Sequence, residues 1–313
     1  MVYRPKRTNV PDLTTNLCGI TLKNPTVLAS GVLGTCKSIL CRVARAGAGA
    51  VTIKSISELP RGGHPNPTIL TFEAGLINAV GYSNAGIEEA LQEFASLDDV
   101  GAPVIASVIG TNAEEFCRVA ERIAALPFAA IELPLSCPHT PGYGTLAGQS
   151  TPEATFEITS AVRKVTKKPL FIKVSPNVPA IAEVARAAES AGADAITAVN
   201  SMGPGMLINI EARRPMLGFK MGGVTGPALR PIAVRCVYDI YQAVKIPIIG
   251  TGGVATGRDA IEMMMAGATA VGVGSAVYDH EIEVFGRIAR EMAEWMAAND
   301  VQDVKELIGA AHR

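Results

Sequence analysis

The residues best suited to chemistry lie in the segment 128–148, FAAIELPLSCPHTPGYGTLAG. It opens as a short apolar run, Phe128 to Leu133, with one acid, Glu132, inside it. It breaks at Pro134 into a loop of Pro, Gly, His and Ser that carries a lone thiol, Cys137, between Ser136 and Pro138. A strand end running into a proline-bounded loop is where an α/β enzyme exposes reactive groups. A free cysteine is also often just a small buried hydrophobe, so the loop alone leaves both readings open.

A second set of candidates is made of glycine. Gly250-Thr251-Gly252-Gly253 and Gly272-Val273-Gly274-Ser275 both follow short apolar runs and precede helical patterns. Glycine lets backbone N–H groups approach an anion, and the helix N-termini that follow are expected to add partial positive charge. Gly250-x-Gly252-x-x-Ala255 also fits a dinucleotide fingerprint, but that motif belongs in an early βαβ unit with an acid further on. Near the chain's end, with a second glycine turn behind it, the motif suits a barrel's phosphate cradle better.

The elements that must position these groups alternate regularly. After a hairpin at 16–23, strands are expected at 26–30, 50–54, 104–108, 128–133, 170–174, 195–199, 247–250 and 270–274. Helices are expected at about 36–46, 87–97, 113–125, 152–164, 181–190, 228–244, 258–266 and 282–296. This rhythm implies parallel βαβ units, about eight of them, the count of a (β/α)8 TIM barrel. Two long segments rich in Gly, Pro and Asn, 58–86 and 200–226, read as inserted βα loops of one domain spanning 1–313. An open doubly wound sheet is the rival, disfavoured by eight similar units without a topological break.

Composition narrows the function classes. Twenty-eight Lys+Arg against 29 Asp+Glu leave a net charge of −1, without the footprint of a nucleic-acid or membrane-surface binder. Hydrophobic content of 48% with only 5% aromatic describes a large aliphatic core. Cys18, Cys36, Cys41, Cys117, Cys137 and Cys236 form no CxxC pair, so no iron–sulfur or zinc frame is recognisable. His64, His280 and His312 show no ligand spacing. MVYRPKRTNV lacks the apolar core of a signal peptide, and no run is long enough to span a bilayer, so a reduced, cytoplasmic protein is expected.

With the strand ends aligned, the chain resembles the class 1 dihydroorotate dehydrogenases, most closely the class 1B catalytic subunit. The resemblance runs through LKNPTVLASG (22–31), VTIKSIS (51–57), NAVGYSN (78–84), IELPLSCPH (131–139), IKVSPNV (172–178), AVNS (198–201), GGVTGPALRPIA (222–233) and IIGTGGVATGRDAIEMMMAGATAVGVGSA (248–276). It implies an FMN barrel that oxidises dihydroorotate to orotate in pyrimidine biosynthesis, with hydride passing to flavin N5 and the C5 proton to Cys137. By matching position, Ala29, Ser30 and Gly31 would line the flavin, and Lys54 and Ser55 would touch flavin and substrate. Lys173 would sit near flavin N1 and O2, where charge develops on reduction. Gly252, Gly253, Gly274 and Ser275 would hold the phosphate, Gly226 would also bind the cofactor, and Asn78, Gly81, Asn200, Ser201 and His139 would contact the pyrimidine. A homodimer is expected, with an electron-transfer subunit carrying FAD and an iron–sulfur cluster as its partner.

Three positions depart from the family pattern. Pro134 and His139 replace asparagines, and Ser107 stands where a flavin-contacting asparagine is common. Proline can donate nothing, so the same barrel acting on dihydrouracil or another ring is an alternative. His139 suits either a contact to substrate or a solvated loop position. A non-redox barrel binding a phosphorylated metabolite, with Lys54 or Lys173 as a Schiff-base amine, is the reading from another class.

Overall fold

The computed structural model describes residues 10–135 and 150–313. Eight strands form a closed parallel barrel: β1 (Thr26–Leu28), β2 (Ala50–Thr52), β3 (Val104–Ser107), β4 (Ala130–Pro134), β5 (Leu170–Val174), β6 (Ala195–Ala198), β7 (Ile248–Thr251) and β8 (Ala270–Val273). They stand side by side in chain order, and β8 closes onto β1 with Gly272 opposite Val27. The connecting helices are α1 (Lys37–Arg45), α2 (Ile87–Glu93), α3 (Ala113–Ala124), α4 (Pro152–Val165), α5 (Ile181–Ser190), α6 (Arg230–Ala243), α7 (Gly257–Met265), α8 (Ala276–His280) and α9 (Val284–Ala298). The (β/α)8 barrel expected from the alternation is the architecture the chain adopts. Among the described residues no helix is long and apolar enough to cross a membrane.

Helix α3 shows how local sequence sets these elements. Asn112 caps it by accepting from the Glu115 amide, and Glu114 and Glu115 place negative charge in the first turn. Phe116, Val119, Ala120 and Ile123 recur at helical spacing and form its buried face.

The strands carry a second code, with a period of two. Val27, Ala50, Ile105, Ala130, Phe171, Ala195, Ile249 and Ala270, one from each strand, pack together inside the barrel. Leu17 and Leu22 join them, both fully buried, from the antiparallel hairpin Thr15–Leu17 and Ile20–Leu22. That hairpin plugs the N-terminal end of the barrel. Leu22→Ala is expected to cost about 2–5 kcal/mol, read as a lowered urea midpoint, because rigid strands surround the cavity it would leave. An unchanged midpoint would show that the plug adds nothing to the core.

The two long insertions are more ordered than their composition suggests. Ile69–Phe72, Gly75–Asn78, Gly222–Thr225 and Met202–Gly205 form a four-stranded antiparallel sheet in the order 202–205, 222–225, 75–78, 69–72. A further short pair joins Ile208–Asn209 to Arg214–Pro215. Sequences such as MGPG and GGVT show no alternation because close backbone approach, not side-chain burial, selects their residues. Gly223 illustrates this: a Cβ there would collide with the Ser201 hydroxyl. Two helix expectations also change. A 3-10 turn at Pro227–Leu229 precedes α6, and the segment after β8 divides into α8 and α9.

Candidate active site

Two residues beyond the apolar inner set, the strands turn polar. The successive positions are Ala29, Thr52, Ser107, Glu132, Lys173, Thr197, Thr251 and Gly272. Six of these eight carry a hydroxyl or a charge, and all six are buried. Buried polar groups persist only when bonded, and several of these are. The Ser30 hydroxyl donates to Glu132 Oε1 at 2.6 Å, and Thr197 Oγ1 donates to Glu132 Oε2 at 2.8 Å. Lys173 Nζ donates to Ser30 Oγ at 3.1 Å. The Ser55 and Ser107 hydroxyls pair at 2.8 Å, so Ser107 has a structural partner where an asparagine was expected.

Above this floor lies a cavity of about 520 Å³ at the C-terminal end of the barrel. That volume lies in the usual range for a small-molecule site. Ala29, Ser30, Gly31, Lys54, Ser55 and Lys173 line it from β1, β2 and β5, and Gly252, Gly253, Gly274 and Ser275 line it from β7 and β8. Asn78, Gly81, Asn200 and Ser201 complete the opposite wall. Gly226 lies instead on a hollow of about 50 Å³ shared with Gly253 and Ser275. Every expected site residue within the described chain thus falls on one of two adjoining spaces. Cys137 and His139 lie outside the described residues. The flanks of their segment are tied together, since Ser150 Oγ donates to the Leu135 carbonyl at 2.9 Å and Leu135 N donates to the Lys173 carbonyl at 3.0 Å.

The glycine turns offer the backbone donors expected of them, but the helix after the first turn adds none. The N–H groups of Gly252, Gly253, Gly274 and Ser275 find no backbone acceptor among the described residues. The helix end behind the first turn, by contrast, is already satisfied. Asp259 Oδ2 accepts from Ala255 N at 3.1 Å and Thr256 N at 2.9 Å, and Glu291 Oε2 accepts from Gly257 N at 2.6 Å. Arg230 pairs with Asp259 in turn. The α7 N-terminus is therefore not an anion site, and binding falls to the turns themselves. The Thr256–Asp259 capping pattern is visible in the sequence and could have signalled this.

Lys54 is half-buried, and its ammonium donates to the Gly31 carbonyl at 3.3 Å. Burial holds its pKa below the ordinary lysine value. Between the lowered folded value and the unfolded one the unfolded chain binds more protons, so stability rises with pH across that window. As pH falls through the folded value, the cost of charging the buried amine is incurred in full. In cofactor-free protein, Lys54→Met is expected to flatten this alkaline rise in denaturation midpoint. Equal slopes in parent and variant would show that the amine is solvated in the folded chain.

Sequence reasoning noted Glu132 as a lone acid in an apolar strand but gave it no role, and it overlooked Thr197. Their period-two offset from the apolar inner set was the available signal. Tyr82, which lies within NAVGYSN but is given no role there, and Tyr278, which lies in no motif, also line the cavity.

With this geometry in place, likeness to known proteins decides the family. The family described as dihydroorotate dehydrogenase matches residues 12–296. The chain belongs to the dihydroorotate dehydrogenase family. A relative from Methanothermobacter thermautotrophicus, "Dihydroorotate dehydrogenase B (NAD(+)), catalytic subunit", is 47% identical over 301 residues, covering 96% of this chain and 98% of the relative. A protein of the same description from Pyrococcus abyssi is 45% identical over 299 residues, covering 96% and 99%. Within the dihydroorotate dehydrogenase family the chain therefore groups with class 1B, and it is an oxidoreductase acting on CH–CH bonds. For the fold, the crystal structure of the Eimeria tenella dihydroorotate dehydrogenase in complex with ferulenol superimposes with a TM-score of 0.83 at 22% identity, covering 100% of this chain and 92% of that one.

Proposed function

We propose that the chain, as one FMN-binding barrel domain over residues 1–313, oxidises dihydroorotate to orotate in the cytoplasm for pyrimidine biosynthesis. The observation that carries this reading is the cavity of about 520 Å³. It joins anion-seeking glycine turns at one end to two lysines and a wall of amide and hydroxyl groups at the other. These residues fit FMN: the amides of Gly252, Gly253, Gly274 and Ser275, without a backbone acceptor among the described residues, suit a phosphate. Gly31, at φ +98 with nothing within 4 Å of where a Cβ would stand, leaves room for a flat ring. Bound FMN would supply the two-electron acceptor, taking hydride at N5 from C6 of the substrate.

The chain's own groups do the remaining work. Lys173 holds an ammonium at the cavity floor, where it can offset negative charge that grows as the reaction proceeds. Lys54 extends the same positive wall, and Asn78, Asn200 and Ser201 orient the pyrimidine. Cys137 is the base that takes the C5 proton. An electron-transfer subunit carrying FAD and an iron–sulfur cluster is the partner, in keeping with the words "catalytic subunit" in the names of the relatives. The exposed apolar side chains Met206, Ile208 and Ile210 favour contact with other chains, including a homodimer mate.

Pro134 gives the second reading its footing. It lines the cavity yet offers no side-chain hydrogen bond, which relaxes selection among dihydropyrimidines. Anaerobic mixing of FMN-loaded protein with dihydroorotate or dihydrouracil separates the two. Bleaching of the yellow flavin by dihydroorotate supports the first reading. Bleaching by dihydrouracil alone transfers the assignment to the second.

A further inference from the structure

Glu132 is a buried carboxylate to which the reaction above gives no task. It is 3% exposed, deep inside the barrel, and both its oxygens accept from hydroxyls. Glu132 and Asp259 are the two buried carboxylates among the described residues, and Asp259 is ion-paired with Arg230. Glu132 connects to a cation through one intermediary. Ser30 gives its single proton to Glu132, so its oxygen can only accept from Lys173, and Lys173 does donate to it. The groups facing this chain are Ser30 after β1, Glu132 on β4, Lys173 on β5 and Thr197 on β6. Among the described residues, the titratable side chains that line the cavity are Lys54, Tyr82, Lys173 and Tyr278.

Building on the FMN reading, we propose that Glu132 is a positioning residue: through the Ser30 hydroxyl it fixes the direction of the Lys173 ammonium at the cavity floor. A carboxylate accepts from both hydroxyls at once, whereas a carboxamide must donate on one side. In Glu132→Gln the amide N–H competes for the Ser30 lone pair that holds Lys173, and the charge that draws the ammonium inward is gone. Lys173 is then released from the floor. Lost ordering of a charged hydrogen bond corresponds to about tenfold or more in the equilibrium it supports.

The test is the midpoint potential of bound FMN, measured with a chemical reductant so that it runs independently of substrate. Glu132→Gln is expected to lower the potential, disfavouring reduction about tenfold, while the same change in a Lys173→Met background lowers nothing. Removing a negative charge by simple proximity would raise the potential in both backgrounds, and that outcome overturns the proposal, as does no change in either. Ser30→Ala cuts the link from its other end and is expected to lower the potential as well, with no further drop on adding Glu132→Gln. An unaltered potential in Ser30→Ala overturns the proposal even if the glutamine variant does not fold. Parent protein that binds FMN but is not bleached by dihydroorotate refutes the substrate assignment alone and leaves this test intact.

Discussion

Cys137→Ser is expected to keep FMN bound and to slow flavin reduction by dihydroorotate by roughly 10²–10⁴-fold, the range supplied by a positioned general base. The loss should be greatest near neutral pH. A thiol with an ordinary pKa of about 8.5 is partly ionised there, while a serine hydroxyl is not. Hydride departure from C6 leaves the C5 proton to be removed, so weakening the base slows the step without loosening the cofactor. Anaerobic stopped-flow absorbance reads the rate, and the flavin spectrum of the resting protein reads occupancy. Parent-like rates would remove Cys137 from the role of base. Lost FMN would make it a cofactor-site residue instead.

Gly253→Ala is expected to yield a largely colourless protein, with FMN affinity reduced at least about tenfold. Gly253 has φ +75, in the left-handed region where a side chain costs about 1–2 kcal/mol. An added Cβ would stand 2.7 Å from the Gly226 carbonyl oxygen and 3.0 Å from the Arg230 amide nitrogen. Both are backbone atoms and cannot swing aside, so the turn that aims the Gly252 and Gly253 amides must itself move. One lost increment of about 1.4 kcal/mol is a factor of ten in dissociation constant. Flavin fluorescence on dilution measures release, and far-UV dichroism shows whether the barrel is retained. A folded variant that stays yellow would mean that this turn does not cradle the phosphate.

The barrel was legible in the sequence because parallel strands buried on both faces read as apolar runs, and α3, α4 and α7 open on side-chain caps, Asn112, Thr151 and Thr256. The apolar run at 170–174 and the capped helix α3 at Asn112 are two cases. The site was legible where glycine or lysine interrupts those runs, as at Gly252, Gly274, Lys54 and Lys173. The sheet over the mouth was not. Its strands are held by backbone pairing between segments some 145 residues apart, as where Gly223 stands opposite Asn78 in the ladder, and local pattern carries no trace of that. What the glycine pattern could not show is that the amides at the α7 N-terminus are already engaged. Which amides remain available depends on Asp259 and Glu291, one of them from a different helix.

The hairpin wedged beneath the strands has a consequence for traffic. With Leu17 and Leu22 packed into that end, the cavity lies at the opposite, C-terminal end of the strands, so a small molecule that enters it is expected to arrive from that side.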